Sequence, residues 1–270
     1  MFWVLLFLFL MGLIWGSFLN VVIYRSSVGK TLGGRSECPD CGHVISWYYN
    51  IPLLSYLYLR GRCAYCHKKI SLRYPAIELM TGILFVWWYL VGFNFFKLFG
   101  NPWMVAQPVF WLVVGMILLT IFMTDLLYGV IPLEINATLL SLAFIYRLSL
   151  AGFGIMVWSD FWSALFSGLG LALFFLFLQK VTRYIKGVDG LGDGDIALSP
   201  ALGLLLGWPK LLIAVFLSFT IGSLVGVYLI ITKKKNISNT IPFGPFLVTG
   251  TILALVFGAQ IWSWYMGMLQ

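Results

Sequence analysis

The chain has 270 residues, 61% of them hydrophobic and only 10% charged, with 17 Lys and Arg against 9 Asp and Glu. Soluble domains carry about 25% charged residues, and none of this size hides so much apolar surface, which excludes a cytosolic globule, a disordered chain and a secreted disulfide scaffold. With a mean hydropathy of +0.97, the fold class is an all-α polytopic membrane protein, with room for about eight helical spans of ~20 residues and one small loop domain.

The first apolar run covers 2–23. No positive charge precedes it and the basic residues follow it, so it reads as a first transmembrane helix and not as a cleaved signal. Ser17 and Asn20 inside it are expected to hydrogen-bond to neighbouring helices. Residues 24–75 then form the one sizeable polar segment, and it holds all four cysteines. Seven further runs follow within 76–270, at 76–99, 104–124, 130–150, 159–182, 195–208, 210–231 and 243–266. The one at 195–208 is short for a span. Trp87-Trp88 reads as packing, and Lys233–Lys235 as a solvated loop. Glu78 opens the second run. It is expected either to complement the helix dipole, to pair with Arg25 or Arg73, or to serve the reaction.

Placed on these spans, only Lys97, Arg147 and Lys210 fall on one side of the membrane, and every other Lys and Arg on the opposite side. The positive side is cytoplasmic. The 24–75 segment therefore faces the cytoplasm and both termini face outward. The net charge of +8 is accounted for by topology and attraction to the lipid bilayer, and nucleic acid is not an expected partner.

Cys38, Cys41, Cys63 and Cys66 follow the pattern C-x2-C-x21-C-x2-C. Disulfides are disfavoured in the reducing cytoplasm, whereas two CxxC knuckles suit a tetrahedral Zn²⁺ held by four thiolates. Such a site leaves no open coordination position, so the zinc is structural and supplies folding energy to a segment too polar to build its own core. His43 and His67 flank the knuckles and are expected beside the metal rather than on it.

Asp125 ends the third apolar run, and Asp195 opens the short one at the same membrane face. An ionisable residue near a span is costly, hence a functional candidate. Two adjacent carboxyls share a proton, so that one acts as base on a water and the other as acid toward a carbonyl. Gly190, Gly192 and Gly194 precede Asp195 and offer close approach and positive φ. The plain alternative is a Gly-rich turn with an Asp cap on the next helix. A phosphate loop is excluded because no Lys-Ser/Thr follows.

These residues resemble those of the type IV prepilin leader peptidases of the GxGD intramembrane aspartic protease class. The resemblance runs through Gly16-Ser17-Phe18-Leu19-Asn20, Cys38-Pro39-Asp40-Cys41 and Asn50-Ile51-Pro52-Leu53-Leu54-Ser55. It continues through Leu59-Arg60-Gly61-Arg62-Cys63, Arg73-Tyr74-Pro75 with Glu78, Asp125 with Ile131-Pro132, Gly190–Asp195 and Pro242-Phe243-Gly244-Pro245. It implies a peptidase of the bacterial inner membrane that removes the basic leader of prepilins and pseudopilins after a glycine. Asp125 and Asp195 would be the catalytic pair. The four cysteines imply the bifunctional form, which then methylates the new N-terminal residue, usually Phe, from S-adenosylmethionine. In that reading 1–23 is the first helix, 24–75 the zinc loop associated with methyl transfer, and 76–270 the peptidase part. Asp193 also satisfies a four-letter GxGD and is a rival to Asp195. Ala197 stands where the family often has Lys, and Leu133-Glu134 where it often has Asp after Ile-Pro. Asp189 and Asp193 are expected to offer negative charge to a basic leader. No motif places the S-adenosylmethionine site or fixes the oligomeric state. The competing function class is a non-enzymatic zinc-knuckle scaffold or transporter, although a transporter would carry its charges near the midplane.

Overall fold

The structure is a computed structural model that describes residues 1–98, 102–187, 190–232 and 241–268. Its α-helices are α1 (Phe2–Ser27), α2 (Leu54–Tyr58), α3 (Arg73–Trp87), α4 (Phe93–Phe96), α5 (Trp103–Tyr128), α6 (Leu133–Gly152), α7 (Trp158–Lys186), α8 (Asp193–Leu206), α9 (Lys210–Ile231) and α10 (Gly244–Met268). A π-helical turn over Trp88–Gly92 joins α3 to α4, making one apolar rod over Arg73–Phe96. Among the described residues seven helices are long and apolar enough to cross a membrane. The short run becomes α8, whose 14 residues rise ~21 Å against a hydrocarbon core of ~30 Å. The eight expected helical runs are thus seven candidate spans and one short helix. Lys233–Lys235 and Asp189 lie outside the described residues.

The boundaries follow local chemistry. Pro132, with extended backbone, starts α6; Gly187, at φ +69°, ends α7 in the left-handed conformation that glycine adopts without steric cost.

The chain divides into two compact units, Met1–Thr120 and Ile121–Gln270. In the first, α1 packs antiparallel on α3. A Cβ on Gly12 would lie 2.7 Å from the Gly82 Cα, and one on Gly16 2.6 Å from the Glu78 Cα. This Gly-x-x-x-Gly stripe lets the backbones touch, as helices in lipid require when packing, not water, drives association. Asn20 Nδ2 donates to the Tyr74 carbonyl at 3.0 Å across the same seam, as expected for a polar group in a span.

In the second unit, α8 is enclosed by its neighbours. Gly203 meets the backbone of Gly168 on α7 too closely for any side chain. Asn136 and Arg147 of α6 donate to the carbonyls of Ala197 and Leu204, each at 2.7 Å, so α6 and α8 run parallel. Leu198, Ala201, Leu202 and Leu204 are essentially inaccessible.

Candidate active site and metal centre

Asp125 lies in the last turn of α5, and Asp195 in the first turn of α8. Each side chain is only 6% exposed, and the two carboxylates are close enough for charge repulsion between them. The N-terminus of α10 also reaches this place, where the Gly244 N–H donates to Asp125 Oδ2 at 2.8 Å. A Cβ on Gly244 would lie 2.6 Å from that same oxygen, so only glycine lets the helix end approach. The donor fixes the Asp125 carboxylate, and the positive end of a helix suits negative charge. Asp195 Oδ1 is buried and has no donor among the described residues. One carboxylate is therefore pinned, and the other keeps a buried oxygen that no donor among the described residues claims.

Asp193 is exposed, and its Oδ1 accepts from Gln179 Nε2 at 2.8 Å. That same nitrogen also donates to the Leu191 carbonyl at 3.1 Å. Asp193 thus tethers the loop to α7, while Asp195 turns inward. Neither aspartate caps α8, whose N-cap is Gly192 with no side-chain cap bond. Gly192 and Gly194 do not take positive φ either. Gly190 and Gly194 serve close approach instead, a Cβ at each lying 2.7 Å from Thr182 Oγ1 and 2.9 Å from Ile131 Cβ respectively.

The ligand atoms of Cys38, Cys41, Cys63 and Cys66 all lie within 4.8 Å of one another, and the Cys38 and Cys66 sulfurs are 3.9 Å apart. Zn–S bonds of about 2.3 Å at tetrahedral angles put sulfurs about 3.8 Å apart, so the set fits such an ion. The two knuckles share one geometry. The Gly42 N–H donates to the Cys38 carbonyl, as the His67 N–H does to that of Cys63; the Cys38 N–H donates to His43, as the Cys63 N–H does to Lys68. Gly42 and His67 both sit at positive φ, +67° and +57°. The Lys68–Asp40 ion pair at 2.9 Å and the His43–Tyr65 ring contact at 3.6 Å join the knuckles.

Electrostatics points the same way. Burial pushes the Cys63 thiol up, but the Cys66 and Tyr65 amides and neighbouring thiols together bring it to about 7. The Lys68 amide lowers Cys66, yet burial and three crowded thiols leave it at about 11. Four thiolates cannot coexist at this spacing without a cation, which is what a metal supplies.

Residues 10–91 match the bacterial peptidase A24 N-terminal domain, and residues 112–227 match the type IV leader peptidase family. The chain is 32% identical over 286 residues to the prepilin leader peptidase/N-methyltransferase of Aeromonas hydrophila, spanning 96% of this chain and 92% of that one. This chain belongs to the type IV leader peptidase family. Proteins of the same name from Burkholderia pseudomallei (strain 1026b) and Pseudomonas aeruginosa are 31% and 32% identical over 96% and 95% of this chain, covering 87% and 91% of theirs. No solved structure matches it.

Several residues of this leader peptidase escaped sequence reasoning. The Gly244 contact lay within Pro242-Phe243-Gly244-Pro245, a recognisable motif that carried no hint of its target. Gln179 and Asn136 are lone amides on apolar helices, and only tertiary structure reveals that they grip the ends of the Gly190–Asp195 loop and α8. Glu78 has hydrogen-bond donors that the sequence did not suggest. Arg25 is spent on the carbonyls of Thr31, Leu32, Gly33 and Arg35, and Arg73 lies over the Tyr74 ring. Glu78 accepts from the Leu53 N–H at 2.9 Å and from the Ser17 hydroxyl.

Proposed function

We propose that this enzyme cleaves the leader from prepilins or pseudopilins with Asp125 and Asp195, and then methylates the new N-terminus from S-adenosylmethionine. The observation that carries the peptidase half is the pair of buried carboxyls presented by the ends of α5 and α8, one pinned by Gly244 and the other with an unclaimed oxygen. The ionised carboxyl takes a proton from water as the water attacks the scissile carbonyl, and the protonated partner donates to the carbonyl oxygen. The amine leaves with a proton returned by the first group, and a hydroxyl of the tetrahedral intermediate gives its proton back to the partner as the carbonyl re-forms. Burial excludes bulk water, which strengthens both transfers.

In this reading the four cysteines hold a structural zinc that folds the 24–75 loop, and that loop serves methyl transfer while 76–270 serves cleavage. Seven apolar helices and family membership make this an inner-membrane enzyme. Positive-side bias supports a cytoplasmic active site and zinc loop with outward termini. Cleavage after a glycine and methylation of Phe are carried over from the family resemblance.

Purified enzyme in detergent, mixed with a prepilin bearing a basic leader, tests this by mass spectrometry. Wild type removes the leader and adds one methyl group only when S-adenosylmethionine is present, and Asp195→Asn does neither. Intact prepilin with folded wild-type enzyme overturns the peptidase assignment.

A further inference from the structure

The first compact unit contains a cavity of about 480 Å³ between α1, the start of α3 and the cysteine-bearing loop. That is a size typical of sites for small organic ligands. Its wall includes Ser17, Asn20 and Tyr24 of α1, Tyr49 of the loop, and Tyr74 and Glu78 of α3. Positions 17, 20 and 24 lie on one face of α1 at helical spacing, so a polar stripe on an apolar helix faces the cavity.

Glu78 is the deep carboxylate of this wall, 9% exposed. A buried carboxylate is retained against its desolvation cost only when something compensates it. The donors that reach it, the Leu53 N–H and the Ser17 hydroxyl, are both neutral. The Leu53 contact is itself held by a strained backbone. Leu53 lies at φ +58°, ψ −47°, and the Leu54 N–H donates back to the Pro52 carbonyl at 2.6 Å. This is the rare γ-turn that leucine adopts only under constraint. Strain here aims a backbone donor at one carboxylate, which orients it without neutralising it. A buried carboxylate oriented by neutral donors, at the wall of a ligand-sized cavity that Arg25, Lys30 and Glu37 also line, suits a cationic ligand.

We propose that this cavity holds S-adenosylmethionine, with the Glu78 carboxylate set against the cationic methyl-transfer centre; the inference rests on the methyltransferase half of the proposed function. The donor carries a sulfonium, and its demethylated product is a neutral thioether of nearly the same shape. Tyr24, Tyr49 and Tyr74 give an aromatic wall suited to a purine. The pilin α-ammonium passes a proton to Glu78, and the freed nitrogen lone pair forms the N–C bond to the methyl carbon. The C–S bond breaks with its electron pair remaining on sulfur. The positive charge ends on the methylated nitrogen, and the proton leaves Glu78 for water.

The test is equilibrium binding of S-adenosylmethionine and of S-adenosylhomocysteine to the full chain in detergent, with no pilin present. Wild type is expected to prefer the cation. Glu78→Gln should weaken binding of the cation by about tenfold and that of the thioether by less than about threefold, while Glu78→Asp keeps the preference. Unchanged affinity for the cation in Glu78→Gln, or an equal loss for both ligands, overturns the proposal. If Glu78→Gln does not accumulate, Asn50→Trp at the cavity wall carries the test. It should weaken both ligands by about tenfold or more, and unchanged binding overturns the assignment. Leader cleavage by wild-type enzyme is measured in parallel. Its presence alongside absent ligand binding refutes this inference alone, and its absence refutes the peptidase reading.

Discussion

The cysteine loop and the aspartate pair place reactive groups by opposite means. Between residues 28 and 72 only Cys38, Ser55, Gly61 and Cys63 are buried, so almost no hydrophobic core orders the sulfurs. Short turns bring them together, and a metal would hold them there. Around Asp125 and Asp195 the reverse applies: Ile121, Thr124, Leu198 and Ser199 are sealed from solvent, and helix packing, with the one donor from Gly244, sets the geometry. The first region should fail when its ion is removed, and the second when a volume changes.

That contrast can be broken most sharply at the carboxylates. Asp125→Asn and Asp195→Asn should each lower leader cleavage by more than about a thousandfold, the upper range for lost acid–base chemistry. On a leader with its charges neutralised, Asp193→Asn should stay within about threefold of wild type, since an amide oxygen at 193 still accepts from Gln179. A loss at Asp193 as deep as at Asp195, read by gel shift of the pilin, would move the pair.

Cys38→Ser should abolish stoichiometric zinc measured by elemental mass spectrometry. It should reduce methylation by about tenfold or more, the scale of losing a site's supporting shell. Cleavage should change little. If cleavage collapses in parallel, the two regions are not independent.

The loop should also respond to pH with a definite sign. Protons compete with the metal for sulfur, Cys66 stands at about 11 and Cys63 at about 7. Metal affinity should therefore fall as pH is lowered from about 8 to 6, by at least about tenfold per unit, as read by competition with a chromogenic chelator. A flat profile would mean that the thiols do not bind the ion.

Gly203→Val makes the complementary test. It forces a side chain into the α7–α8 seam and should destabilise the second unit by about 2 kcal/mol, lowering the thermal midpoint in detergent without loss of zinc. The smallest effect is expected at His67. Replacing it with glycine relieves its left-handed backbone, for a gain of about 0.5 kcal/mol in the zinc-bound loop. A loss there, measured by zinc affinity, would give the imidazole a part beyond occupying the turn.

Much of this was legible because the relevant signals are local. CxxC spacing declares a metal site, long apolar runs declare spans, and an aspartate at the edge of an apolar run declares its own cost. The knuckle equivalence was hidden because glycine and histidine fill the same left-handed position at 42 and 67, with no sequence likeness between them. The status of α8 was hidden as well. Its composition matches a lipid-facing helix, and only its length and its enclosure by α6, α7 and α10 distinguish it. The link from Gly244 to Asp125 spans 119 positions, and no periodicity carries such a contact. Glu78 looked like a partner for arginine because charge alone is visible in a sequence, whereas the loop carbonyls that claim Arg25 are not.

The shortness of α8 has a consequence for biogenesis. A segment of 14 residues whose sides are covered by protein gains little from contact with acyl chains and does not span them alone. It cannot commit to the bilayer as it leaves the translocation machinery, as a long span can. Its insertion waits on the helices that surround it, among them α10, which is synthesised after it. Assembly around α8 is in this sense completed by a helix made later than α8 itself, and a chain that stops before Gly244 has both an unsheltered α8 and an Asp125 without its donor.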